Sequence, residues 1–203
     1  MVPSMSEGPL TMQDVTTPIA TMAGEAADLL AGAAAEIAPA SWDSPSNLDG
    51  WSLRELVAHG TGSAAKIVAL AEGGPIRQQP SQPADWICKD PVQRLRELAE
   101  RIRDVLPDAD MEAVRPSPAG EVALRQALAF PVADLAMHSW DIHRSLGRLI
   151  ELPEDLLALC RGLVESLPEE SLRRPGAFGP AQVAPADATP TASLMAYLGR
   201  RLA

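Results

Sequence analysis

The sequence predicts an all-α protein, an up-down four-helix bundle followed by a C-terminal helical extension. Three observations predict it. Four long segments carry apolar residues at spacings of three and four, the period of a helix with one buried face. No segment shows the alternation of a half-buried strand. Hydrophobic residues reach 46% of the chain while aromatics reach only 3%. A core built that way is mostly Leu, Ala, Val and Met, a palette that favours helices. A chain of 203 residues fits one large domain, or one domain with an appendage, and buries a real core.

In chain order, residues 1–10 read as a flexible start and 11–147 as the bundle. The first helix runs from about Thr11 to Ala38, with Ile19, Met22, Ala26, Leu29, Leu30 and Ala33 on one stripe. Pro18 marks its beginning or a kink. After the loop "PASWDSPSNLDG", the second helix opens at "SLRE", where Ser52 and Glu55 have the spacing of a capping box. Leu53, Leu56, Val57, Ala64, Ile67 and Val68 face inward, and Gly73-Gly74 stops it. The third, "DPVQRLRELAERIRDVL", takes Asp90 as cap and Pro91 at its first position. The fourth runs from about Glu121 or Pro131 to Leu146, with Gly147 as its natural end. Residues 148–203 form the extension packed on the bundle: a helix "PEDLLALCRGLVESL", a Pro/Gly-rich connector over 173–190 and a closing helix "TASLMAYLGRRL". A connector that long commonly has a job, such as covering a cleft.

Charge and composition exclude several classes of function. The formal net charge is -10, so no basic footprint exists for nucleic acid or an anionic membrane surface. No run of about 18 apolar residues is present, so nothing spans a membrane. The opening "MVPSMSEGPLTMQ" lacks the basic and apolar regions of a secretory signal, which places the protein in the cytoplasm. Cys88 and Cys160 stand far apart and read as buried reduced thiols.

The chemistry concentrates in "DLAMHSWDIH", Asp134 to His143, which holds two of the three histidines. Each helical residue turns about 100°, so Asp134 and His138 lie one turn apart on one stripe. Asp141 falls near that stripe; His143 is rotated about 140° from His138. His59, on the second helix, belongs near the inward face. One imidazole from one helix, with an imidazole and a carboxylate from another, is how bundles build metal sites. Three protein ligands leave coordination open for water or substrate. The spacing alone also fits a hydrogen-bonded core histidine with an ordinary Asp134–His138 helix pair. A hydrolase triad through Ser63 or Ser139 fits less well, because no nucleophile elbow accompanies either serine.

The pieces "GWSLRELVAH", "LAFPVADLAMHSWDIHRSLG" and "GAFGPAQVAPADATPTASLMAYLGR" resemble the actinobacterial DinB-like superfamily, specifically the mycothiol-dependent maleylpyruvate isomerase-like proteins. The resemblance spans about 42–203 and keeps all three blocks in order. It implies a DinB-like bundle in which His59, Asp134 and His138 bind a divalent metal. Zinc is the expected ion, though nickel or iron(II) accepts the same donors. Mycothiol is the implied cosubstrate, acting with a small electrophile in S-transfer or cis–trans isomerisation. The chain departs from the family in "NLDGW" before the second helix, in His143, and in Asp134 where relatives carry a glutamate.

Asp141, His143 and Arg144 are candidates to orient a ligand or touch substrate. The helix-packing reading of Asp141 stands beside that role, and Arg144, Arg200 and Arg201 read first as exposed arginines. The alternative to an enzyme is a non-catalytic metal or ligand sensor on the same scaffold. A metal-free bundle is a third reading. Oligomeric state and the electrophile have no signature in the sequence.

Overall fold

Four long helices surround one core in this computed structural model, which describes residues 18–76, 81–117, 120–173 and 177–202. The expected flexible start, and the first residues assigned to helix one, lie outside them. Helix α1 spans Ile19–Ala35 with Pro18 at its N-cap. Helix α2 spans Leu53–Glu72, and its capping box is formed: Ser52 accepts from the Glu55 amide while Glu55 accepts from the Ser52 amide. Gly73 ends it at φ 70°. Helix α3, Pro91–Val105, starts with Asp90 accepting from the Gln93 amide.

The sequence showed no strand, and the structure adds one hairpin. Strand β1, Val114–Ser117, pairs antiparallel with β2, Gly120–Ala123. Four-residue strands carry too little alternation to be read, and Pro116 disguises the first as a loop. The hairpin anchors the end of α2, because Arg115 Nε donates to the Leu70 carbonyl at 2.6 Å.

The fourth predicted helix is two pieces, α4 at Leu124–Ala127 and α5 at Ala129–Ser145. They meet at Leu128, which keeps right-handed helical dihedrals. Pro131 sits in the first turn of α5, where its missing N–H costs little. Gly147 follows α5 at φ 78°.

Helices α1 and α2 each pack against both α3 and α5, so α1 stands diagonal to α2. The diagonal closes at one point, where the Leu30 side chain fills the hollow left by Gly60. A Cβ on that glycine would lie 2.5 Å from Leu30 Cδ2. Alanines 23, 26, 27, 33 and 34 let α1 approach its neighbours closely. Leu56, Ile67, Leu95, Ile102, Leu135 and Trp140 fill the interior.

Beyond the bundle, α6 at Glu154–Glu165 packs on α5, and the short α7 at Glu169–Leu172 follows. Cys160 is buried as expected, whereas Cys88 is only partly so, and both are free. Helix α8, Pro190–Tyr197, is capped by Thr189. Within the connector, Gln182 N–H donates to the Ala196 carbonyl at 2.8 Å. The backbones of Gly179 and Gly199 touch there. Gly199 has φ 83°, and a Cβ on it would lie 2.6 to 2.8 Å from Gly179 backbone atoms. Gly147 has the same kind of φ but open space around it. Gly199→Ala is therefore expected to cost about 2 kcal/mol or more, from strain plus collision, and Gly147→Ala about 1 kcal/mol from strain alone. Urea unfolding of both variants checks the order.

Candidate metal centre

Helix α2 carries His59 two turns past its capping box, and α5 carries Asp134 and His138 one turn apart. The two helices are neighbours in the bundle, so the three side chains meet. One ligand atom from each lies within 4.8 Å of the others. Asp134 sits between the rings: His59 Nε2 is 3.2 Å from Oδ2, and His138 Nε2 is 3.3 Å from Oδ1. The rings lie edge to face with centroids 5.0 Å apart.

The opposite nitrogens are tied to oxygens. His59 Nδ1 meets the Ser81 carbonyl at 2.7 Å, and a carbonyl only accepts. Nδ1 therefore carries a hydrogen, which leaves Nε2 as the nitrogen that can bind an ion when the ring is neutral. His138 Nδ1 is held likewise by Asp141 Oδ2 at 3.0 Å. Gly62 makes the first contact possible, since a Cβ there would strike Ser81 at 2.4 Å and keep its loop off α2. Ser63 Oγ donates to Asp134 Oδ2 at 2.6 Å and fixes the carboxylate. Trp51 covers the pair, with its ring 4.9 Å from His59 and 6.4 Å from His138.

Those donors suit a divalent ion. Each nitrogen lies within 3.3 Å of one oxygen of the Asp134 carboxylate, and one ligand atom from each residue lies within 4.8 Å of the others, near enough for one ion to gather them. Both imidazoles turn Nε2 toward Asp134, with the far nitrogen oriented by an oxygen, the arrangement a neutral ring needs to coordinate. Without an ion, burial disfavours a charged His138, but Asp134 and Asp141 outweigh it and raise the pKa from 6.5 to about 9. Burial pushes the Asp134 carboxyl up, and the His138 and His59 rings reverse this, holding it well below the usual range.

Asp141 has no solvent exposure. Its carboxylate accepts from Arg200 Nη2 at 3.2 Å and Nε at 3.3 Å, and from Asn47 Nδ2 at 3.3 Å. Burial raises its pKa, but Arg200 and His138 more than offset that. Arg200 is itself buried and stacks on Phe178 at 5.3 Å, so the closing segment reaches the ligand set through one guanidinium. Sequence reasoning took Arg200 for an exposed arginine and missed Asn47, Ser81 and Trp51. The only available signal was the "LGR" in the closing block, because the pairing spans 59 residues.

His143 lies away from the three donors, with a half-buried ring near Arg148 and Glu36, and burial pushes its pKa down. Arg144 is partly exposed, and its Nε donates to the Arg201 carbonyl at 3.4 Å. Arg201 pairs with Asp49. Two hollows flank the centre, one of about 590 Å³ beside Trp51 and Asn47, the other of about 650 Å³ beside Ser81 and Gly62.

Comparison with known proteins places the helical fold. The family described as "Mycothiol maleylpyruvate isomerase N-terminal domain" matches residues 23–143, more than half of the chain. Among solved structures, that of a mycothiol-dependent maleylpyruvate isomerase superposes with a TM-score of 0.56 at 18% identity, covering 73% of this chain and 69% of that one. A histidine-to-alanine mutant of such an isomerase superposes with a TM-score of 0.55 at 17% identity over the same shares. No curated protein sequence matches the chain.

Two outcomes follow from the electrostatics. His138 gains basicity on folding, so its proton favours the folded state, fully below pH 6.5 and not at all above about 9. Metal-free protein should lose stability as pH rises through that window, and His138→Ala should flatten the slope in denaturant titrations. Arg200→Met leaves the Asp141 carboxylate buried without its cation, at an expected cost of about 3 kcal/mol. Thermal unfolding of the variant beside the parent measures it.

Proposed function

The chain belongs to the mycothiol maleylpyruvate isomerase N-terminal domain family, and from that premise we propose that it is a metal-dependent enzyme using a small thiol. The substrate is an electrophilic alkene or a related small electrophile, with mycothiol as the thiol. One observation carries the reading: two imidazole Nε2 atoms converge on one carboxylate while both Nδ1 atoms are held by oxygens.

In this reading His59, Asp134 and His138 hold a divalent ion, and zinc suits a set of two imidazole nitrogens and one carboxylate. Bound there, the ion lowers the pKa of an incoming thiol and keeps its sulfur as thiolate. Asp141 and the Ser81 carbonyl keep the rings oriented, Ser63 keeps the carboxylate turned inward, and Trp51 excludes water from the ring faces. Asp134, with 29% of its side chain exposed, is the member of the set that solvent reaches, so small molecules approach on its side.

For isomerisation, the thiolate lone pair forms a carbon–sulfur bond at one alkene carbon, and the π pair moves into the conjugated carbonyl. Rotation about the resulting single bond follows. The pair then returns, the alkene reforms and sulfur leaves with its electrons. Where a leaving group departs with its pair instead, sulfur stays on the product and the reaction is S-transfer. Cys160 takes no part in either course: burial pushes its thiol up to about 12, so it stays protonated.

The purified protein should hold close to one zinc per chain. His138→Ala should lose the metal, and His143→Ala should keep it, since its ring lies on another flank. Elemental analysis reads both, and metal lost from His143→Ala alone would overturn the assignment. Cobalt-substituted protein should develop sulfur-to-metal charge-transfer absorption when mycothiol is added. A metal-replete protein with an unchanged spectrum would instead be a sensor.

A further inference from the structure

The two imidazoles of the centre are held by unlike partners. His59 Nδ1 meets a neutral backbone carbonyl at Ser81, whereas His138 Nδ1 meets a carboxylate that has donors of its own. Oδ2 of Asp141 faces His138 Nδ1 at 3.0 Å and accepts from Arg200 Nη2 at 3.2 Å. Oδ1 accepts from Arg200 Nε and from Asn47 Nδ2, each at 3.3 Å. A carboxylate gripped on both oxygens cannot turn, so residues from outside α5 set the direction of the hydrogen bond to His138. Those residues sit on segments with separate anchors. The Asn47 amide donates to Ser145 Oγ at 2.8 Å. Helix α8 is fastened at its first turn, where Thr191 Oγ1 accepts from the Leu152 amide at 3.0 Å. The seat of the residues after Tyr197 therefore depends on Arg200 far more than on that anchor.

We propose that Arg200 and Asn47 are positioning residues for the metal ion. Through Asp141 they hold His138 ready to coordinate, so ion binding and the seating of the flanking segments strengthen each other. A cation at Nε2 polarises the ring and makes its Nδ1–H a stronger donor to Asp141. The carboxylate so fixed holds the guanidinium and the amide more firmly in turn. Linkage makes the effect equal in both directions. The inference rests on His59, Asp134 and His138 as the ligands, and adds two residues that never touch the ion.

The test uses the full chain, stripped of metal and titrated with zinc alone. Hydrogen exchange is followed at the Asn47 amide and at the Arg200 amide, which donates to the Met195 carbonyl at 2.9 Å. Zinc should slow both by about tenfold or more. The Leu106 amide, at the end of α3, should change by less than about twofold, since no ligand lies on that helix. Arg200→Gln, measured while folded, should weaken zinc binding by about tenfold or more and shift the visible bands of the cobalt-substituted protein. Asn47→Leu should weaken zinc binding in the same sense, and it serves where Arg200→Gln fails to fold. Zinc binding that leaves exchange at Asn47 and Arg200 unchanged would overturn the proposal. So would parental zinc affinity in the folded variants, whatever their melting temperatures, because a merely structural brace moves stability alone. A parent chain that takes up no zinc would instead overturn the metal reading, so the two failures are distinguishable.

Discussion

The molecule's most demanding interaction is the fully buried Asp141 carboxylate. A carboxylate removed from water is costly unless charge and hydrogen bonds compensate it on every side. Here the compensation comes from three directions: the His138 ring on its own helix, the Asn47 amide from the loop before α2, and the Arg200 guanidinium from the end of α8. Three chain segments that share no local structure are thereby brought to one point. Orienting His138 is only part of what Asp141 does; it also fixes where the entry loop and the closing segment sit.

The closing segment has a mechanical basis for its sequence. Gly179 and Gly199 let two backbones touch, Phe178 supports the arginine face, and Arg200 enters the interior. The described part of the connector, residues 177–189, has no helix or strand of its own, and together with Arg200 it braces α5. The Pro/Gly content that marks it as loop-like in sequence is what permits the close crossing.

Much of the architecture was readable because it depends on local chemistry. Ser52 with Glu55, Asp90 with Pro91, and Gly73 and Gly147 set helix ends through groups within one turn. The period of 3.6 separated His138 from His143 without any tertiary information. The hairpin escaped because four residues with a proline hold no alternation. Ser81 escaped for a different reason: it contributes a backbone carbonyl, which every residue has, so no side chain advertises it. Arg200 and Asn47 needed long-range geometry, since nothing in a single sequence pairs residue 47 or 200 with 141. The meeting of His59 with the α5 pair was an assumption about neighbouring helices, and the packing of α2 on α5 supplies the missing step.

The diagonal placement of α1 and α2 divides the bundle into two kinds of surface. Helices α2 and α5, side by side, carry all three converging donors, while the alanine-rich α1 and the charged α3 contribute none. Substitutions on the back pair act on packing alone; those on the front pair act on packing and chemistry together. The back pair still bears on the candidate centre through packing, because α1 and α3 touch the two helices that carry the donors. The same division places the candidate centre on a single helix–helix seam, between α2 and α5, and on the loops that border it.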